Sequence, residues 1–268
     1  MLYPDKVPGG LEMKVAMIAP VGKSPSVITE MVRFLESEYL SDVILLPTKD
    51  EFVLAGTRLV EAALKVHYPK LRIHVHVLPK NDIASEEDAL LAAKEITKAI
   101  CIEKFKIGTD RIFLNVAGGR KEVTVMAALL GSMFGVTGIY HVVNKEIGAF
   151  NDYQQQIMED IMRFSEKDLE KRIEMYKELR EKFDRLLFPD GAKLEFINIP
   201  VIPYSPEDIA RLKRILKPGG VSLVEEPMAP YLIQIYQQAN LIVYNKQTSW
   251  IHPTDMGLEI GKMLRCEV

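Results

Sequence analysis

The apolar positions of this chain follow two alternating patterns. Residues 13–20 (MKVAMIAP), 42–47 (DVILLP), 71–78 (LRIHVHVL), 111–117 (RIFLNVA) and 136–143 are short apolar runs, the pattern of strands covered on both faces. Between them apolar residues recur at helical spacing, as in Val27, Met31, Phe34 and Leu35, and again over residues 51–67, 85–105 and 121–134. Ser85 followed by Glu86, Glu87 and Asp88 marks one helix start, a cap with acid in the first turn. Ser24-Pro25 marks another, with Ser24 suited to the N-cap and Pro25 to the first helical position. Strands and helices alternating at these lengths predict a parallel sheet with right-handed crossovers, an α/β Rossmann-like domain over residues 12–150.

The pattern changes after residue 150. Residues 151–190 are rich in charge, yet Ile157, Ile161, Phe164, Leu169, Ile173, Tyr176 and Leu179 keep helical spacing. This predicts amphipathic helices that pack on a neighbouring element or on a partner subunit, a linker and dimerisation segment. Pro189-Asp190-Gly191 reads as a turn and a boundary. Residues 191–268 then read as a second domain. A helix is capped by Ser205-Pro206 and broken at Pro218-Gly219-Gly220. A helix over 230–239, a hairpin over 241–252 and a last helix after Thr254 follow. That order resembles a winged helix-turn-helix module.

Composition narrows the class. With 268 residues, 48% of them hydrophobic, the chain can bury two cores. A net charge of −3 gives no general attraction to duplex DNA. Cys101 and Cys266 are too few for a disulfide framework and read as inert thiols of a reducing, cytoplasmic compartment. Residues 1–11, with Pro4, Pro8, Gly9 and Gly10, read as a loose leader rather than a signal peptide, and no apolar run is long enough for a membrane span.

Two loops carry the candidate chemistry. Gly22-Lys23-Ser24-Pro25 follows the first strand, and Gly118-Gly119-Arg120-Lys121 follows the fourth. In a sheet of order 3-2-1-4-5 those strands are neighbours, and the chain reverses direction between them, where ligands bind at the carboxyl ends of the strands. Glycines admit close backbone approach, each loop opens a helix whose free N–H groups favour anions, and Lys23, Arg120 and Lys121 add positive charge. A phosphate-bearing ligand is expected. The chain has neither a Walker-type phosphate loop nor a Gly-x-Gly-x-x-Gly after strand one, so P-loop hydrolysis and a nicotinamide cofactor are disfavoured, and no cofactor is expected.

Together with Val27-Ile28-Thr29-Glu30, Leu45-Leu46-Pro47-Thr48 and Asn115-Val116-Ala117, these loops resemble the CARF family, the Rossmann-like sensor domains of type III CRISPR systems. The resemblance covers residues 13–144. It implies a homodimer that binds a cyclic oligoadenylate across its axis. Within the family the chain looks most like the archaeal ring nucleases, which degrade cyclic tetra-adenylate and switch off the antiviral response. On that resemblance Ser24 and Lys121 carry the cleavage, without a metal. Gly22, Lys23, Pro25, Thr48, Asn115, Gly118, Gly119 and Arg120 would line the ligand.

The C-terminal module leaves a rival open, a non-catalytic CARF-type transcription regulator sensing the same ligand. A third reading is a Rossmann binder of an ordinary nucleotide. Against DNA binding, the basic residues of the module are offset by acids, and its second helix, residues 230–239, has no Lys or Arg to meet phosphates or guanines. The Arg–His spacing of a HEPN-type ribonuclease is missing: Arg58 and His67 are too far apart, and Arg72, His74 and His76 too close. His74 and His76 share a strand face but lack further ligands at a supporting spacing, so a metal site is not expected.

Overall fold

A computed structural model describes residues 13–189, 193–201 and 204–268. The leader and residues 190–191 of the proposed turn lie outside the described residues. The chain divides into two compact units, residues 1–201 and 202–268.

In the first unit, strands β1 (Val15–Val21), β2 (Asp42–Pro47), β3 (Arg72–Val75), β4 (Arg111–Asn115), β5 (Gly138–Asn144) and β6 (Leu194–Ile199) form one sheet in the order β3-β2-β1-β4-β5-β6. The first five are parallel, and β6 pairs antiparallel with β5, Tyr140 opposite Asn198. The central β1 is buried along its whole length. Its alternate residues serve the two faces of the sheet, with Val15, Met17, Ala19 and Val21 in the main core. Edge strand β3 alternates between exposed and half-buried positions and is shorter than its apolar run, because one side has no neighbour to cover it.

Helices α1 (Ser26–Phe34), α2 (Glu51–His67), α3 (Glu86–Cys101) and α4 (Lys121–Phe134) make the crossovers, and α3 packs on α4. Asp50 caps α2 by accepting from the Val53 N–H, and Ser85 caps α3 by accepting from that of Asp88. α3 runs on into a π-helical turn, residues 102–107, closed by Gly108 at φ +70°.

The charge-rich segment forms α5 (Ile147–Gln156), α6 (Met158–Met162), α7 (Leu169–Glu178) and α8 (Arg180–Leu187). Its apolar face turns inward: Phe164, Tyr176, Phe183, Leu186 and Leu187 join the core of the first unit, with α6 and α7 on α2 and α8 on α1. Polar contacts match the packing. Arg172 Nη2 donates to Glu61 at 2.5 Å, and His67 Nε2 lies 2.9 Å from Asp184 Oδ1. The segment therefore covers its own sheet with Ile157, Ile161, Phe164 and Tyr176, while Leu169, Ile173 and Leu179 of the same stripe are half-buried. The first unit also extends past the boundary drawn at residue 190, because β6 completes the sheet beside β5.

The second unit holds α9 (Pro206–Ile215), β7 (Val221–Ser222), α10 (Pro230–Gln238), β8 (Ile242–Asn245), β9 (Trp250–Pro253) and α11 (Asp255–Leu264), with an antiparallel sheet of order β7-β9-β8. Leu212, Ile215, Leu216, Ile233, Ile251, Met263 and Leu264 are buried. Ser205 and Thr254 cap α9 and α11 by accepting from the N–H groups of Asp208 and Gly257. Neither cysteine is a free thiol, which corrects the expectation drawn from their number.

Candidate functional site

The loops after β1 and β4 meet backbone to backbone. A Cβ added at Gly22 would lie 2.6 Å from the Gly119 nitrogen, and one at Gly118 would lie 2.5 Å from the Pro20 oxygen. Gly119 adopts φ +86°, a conformation that side chains rarely take. Two segments nearly a hundred residues apart are thus pressed together where strand order reverses, and only glycines allow the approach.

Asn115, at the end of β4, ties the two loops from below. It is fully buried, donates through Nδ2 to the Val27 carbonyl at 2.8 Å, and accepts from the Ala117 N–H at 2.9 Å. One donor and one acceptor of the amide are thus engaged within the protein, and Asn115 holds the shape of the site from beneath. Pro25, Thr48 and Gly118, also expected at the ligand, are buried as well. The exposed groups are Lys23, Arg120 and Lys121, with Ser24 half-exposed.

Ser24 does not cap the helix behind it. α1 begins at Ser26, Pro25 takes the N-cap position in helical conformation, and no side-chain oxygen caps the first turn. A proline at φ −67° starts the helix one residue later than the pattern predicts and leaves the Ser24 hydroxyl unused by the helix. Arg120 is the N-cap of α4 and Lys121 its first residue, so both stand at the positive end of that helix. Arg120 Nη2 pairs with Asp82 in the loop before α3.

Beside these loops lies a cleft of about 910 Å³ over the carboxyl ends of β1 and β2. Lys23 and Ser24 line it on one side, Lys49, Asp50 and Phe52 on another, and Asn81, Asn151 and Gln155 add amides. The two lysines are matched by Asp50 and Glu51, so the cleft suits a neutral polar ring better than a second phosphate. Arg120 and Lys121 are outside its lining.

Sequence reasoning missed Lys49, Asn81, Asp82 and Gln154. The last three belong to segments whose approach to the loops no local pattern announces. Glu30, quoted above only as part of a motif, is buried in α1. Neither of its carboxyl oxygens has a hydrogen-bond partner. Burial pushes its pKa up to about 7 against the opposing influence of Ser26 one turn earlier. His74, weighed above as a metal ligand, pairs with Asp42 at 3.1 Å, and Arg72 grips the same carboxylate with two donors.

Fold and site together define a Rossmann-like α/β protein whose two glycine-bearing, cationic loops meet beside a polar cleft at its topological switch point. Residues 24–226 match the family described as CRISPR-associated protein NE0113, and the chain belongs to that family. The match runs well past residue 144, so the helical segment and β6 are part of the family's body. The chain is 25% identical over 189 residues to the CRISPR system ring nuclease SSO2081 of Saccharolobus solfataricus, covering 68% of this chain and 98% of that protein. This agrees with the resemblance to ring nucleases drawn from the two loops.

Among solved structures, Csm6 of Enterococcus italicus bound to cyclic hexa-2'-fluoro-hexa-dAMP aligns at TM-score 0.47 and 16% identity, over 76% of this chain and 46% of that one. Can2 of Sulfobacillus thermosulfidooxidans with cyclic tetra-adenylate aligns at 0.34 and 12%, over 92% and 63%. The chain spans less than two thirds of either structure, and similarity at this level assigns it neither fold nor ligand.

Proposed function

We propose that this protein is a ring nuclease that binds cyclic tetra-adenylate and cleaves it without a metal. The observation that carries the reading is the backbone contact of Gly22 with Gly119, which brings Ser24 and the positive end of α4 to one switch point. The ligand's own 2'-oxygen attacks the adjacent phosphorus, the bond from phosphorus to the 5'-oxygen breaks, and the 2'-proton is lost as the 5'-oxygen gains one. The product is linear and ends in a 2',3'-cyclic phosphate. Lys121 stabilises charge on the phosphoryl oxygens, and the Ser24 hydroxyl orients the attacking oxygen. Arg120 and Lys23 bind phosphate, and the amide-lined cleft receives a base.

A ring of repeated nucleotides is itself symmetric, so the reading takes the protein as a homodimer with two copies of each loop on one axis. The inward-facing helical segment moves the expected interface to α4, where Val125 and Leu129 are exposed on the helix that Lys121 begins. The second unit is read as a winged-helix-like module that does not grip DNA. Its α10 lacks cationic residues, and Arg214 and Arg265 are paired with Glu226 and Glu267. The intended place of action is the cytoplasm. Among the described residues no helix is long and apolar enough to cross a membrane.

The test is a single-turnover assay at saturating enzyme with EDTA present, products resolved by chromatography. Wild type should give the cyclic-phosphate product. Lys121→Ala should lose roughly 100-fold or more in rate, the scale of removing one charge-stabilising donor, and Ser24→Ala less. Binding without cleavage would favour the regulator, as would a tight, sequence-specific DNA complex. A monomer by light scattering would remove the two-fold site.

A further inference from the structure

We infer that Gln154 is a positioning residue for the Ser24 loop, resting on the reading of that loop as the cleavage site. Gln154 Nε2 donates to the Lys23 carbonyl at 2.6 Å, across 131 residues of sequence. That carbonyl belongs to the peptide linking Lys23 to Ser24, so the bond fixes the plane from which the Ser24 side chain projects. The arm carrying Gln154 is anchored. Phe150, one turn earlier on α5, is buried in the core, and the Tyr153 hydroxyl donates to the Lys182 carbonyl at 3.0 Å while Arg185 stacks on its ring at 4.3 Å. Loop and helix are therefore held at a set separation through one amide.

The other end of that amide argues that the bond serves the site and not stability. Gln154 is only 9% exposed, and its Oε1 is buried with no hydrogen-bond partner among the described residues. A buried orphan acceptor destabilises the fold, whereas an apolar side chain of the same length would not. The bond to the Lys23 carbonyl is only partly buried, so its net contribution to stability is small beside the cost of the orphaned acceptor. What a methionine at this position would lose is the fixed orientation of the Lys23–Ser24 peptide.

Two variants of similar size test this, Gln154→Met and Gln154→Glu, measured with cyclic tetra-adenylate. Gln154→Met should melt at the parental temperature or above it. It should bind the ring within about threefold of wild type and cleave roughly tenfold or more slowly in single turnover, the scale of a sub-ångström misplacement. Gln154→Glu should be as slow at pH 8 but recover relative to wild type as pH falls, because a protonated carboxyl regains the donor that the carboxylate lacks. Hydrogen exchange over residues 22–26 should quicken in Gln154→Met. Parental cleavage by Gln154→Met, or no recovery of Gln154→Glu at low pH, would overturn the inference. If wild type itself does not cleave, the functional reading fails. Unchanged exchange in that loop would then overturn the tie as well, and quickened exchange would uphold it.

Discussion

Gly118→Ala is the most demanding test of the loop contact. The new methyl carbon would sit 2.5 Å from the Pro20 carbonyl oxygen, where real contacts of this kind stay beyond 3.0 Å. Both partners are backbone, so no rotamer change relieves the clash, and the two loops must part by at least about half an ångström. Forcing a methyl into a packed contact costs about 1–3 kcal/mol, which for a domain of this size lowers the melting temperature by roughly 2–10 °C. The same shift misplaces Ser24 relative to Lys121, and single-turnover cleavage should fall by about 10- to 100-fold. Gly148→Ala on α5 is the control, since nothing lies within 4 Å of its added methyl. It should keep the parental rate and melt at or slightly above the parental temperature. Parental melting and cleavage in Gly118→Ala would show that the loops do not press together as described.

Three further outcomes are expected. Asp82→Asn frees Arg120 from its surface ion pair and should tighten ring binding by up to about fivefold at low salt, an advantage that shrinks in titrations at high salt. Glu30 binds its proton more strongly in the folded chain than the ordinary 4.5, so its contribution to stability is full below about 4.5 and is lost as pH rises to about 7. Glu30→Gln should flatten the denaturant-measured stability over that window and stabilise the protein at pH 8 by on the order of 3 kcal/mol; an unchanged slope would refute the assignment. Asn115→Leu removes the acceptor of the Ala117 N–H and the side-chain donor to the Val27 carbonyl and should cost about 1–3 kcal/mol, with cleavage falling alongside in the fraction that stays folded.

Apolar runs located all five parallel strands: β1, β2 and β4 are buried on both faces and must be continuous apolar runs, while β3 and β5 are short apolar runs that end only partly covered. The strand order and the convergence of residues 22–25 with 118–121 followed from the rules of doubly wound sheets. The sixth strand escaped that reading. β6 alternates exposed and half-buried residues at the sheet edge, a weak signal directly after a charge-rich segment. The helical segment was legible as amphipathic, but an apolar stripe does not say whether it meets its own sheet or another chain. Phe164, Tyr176 and Phe183 pack inside the first unit, a placement that depends on where the whole helices settle.

At the site the division is equally physical. Residue type and order determined that two glycine-bearing, cationic loops open helices at neighbouring strand ends, since those properties are local. Which of their side chains reach solvent is not local. Thr48 and Asn115 are polar and stand at strand ends, as a ligand contact would, yet burial makes Asn115 a tie between the loops. Asp82 beside Arg120 and Gln154 on the Lys23 carbonyl lie 38 and 131 residues from their partners. Such pairings exist only once the chain has closed, because they depend on where whole helices settle and not on any spacing within one.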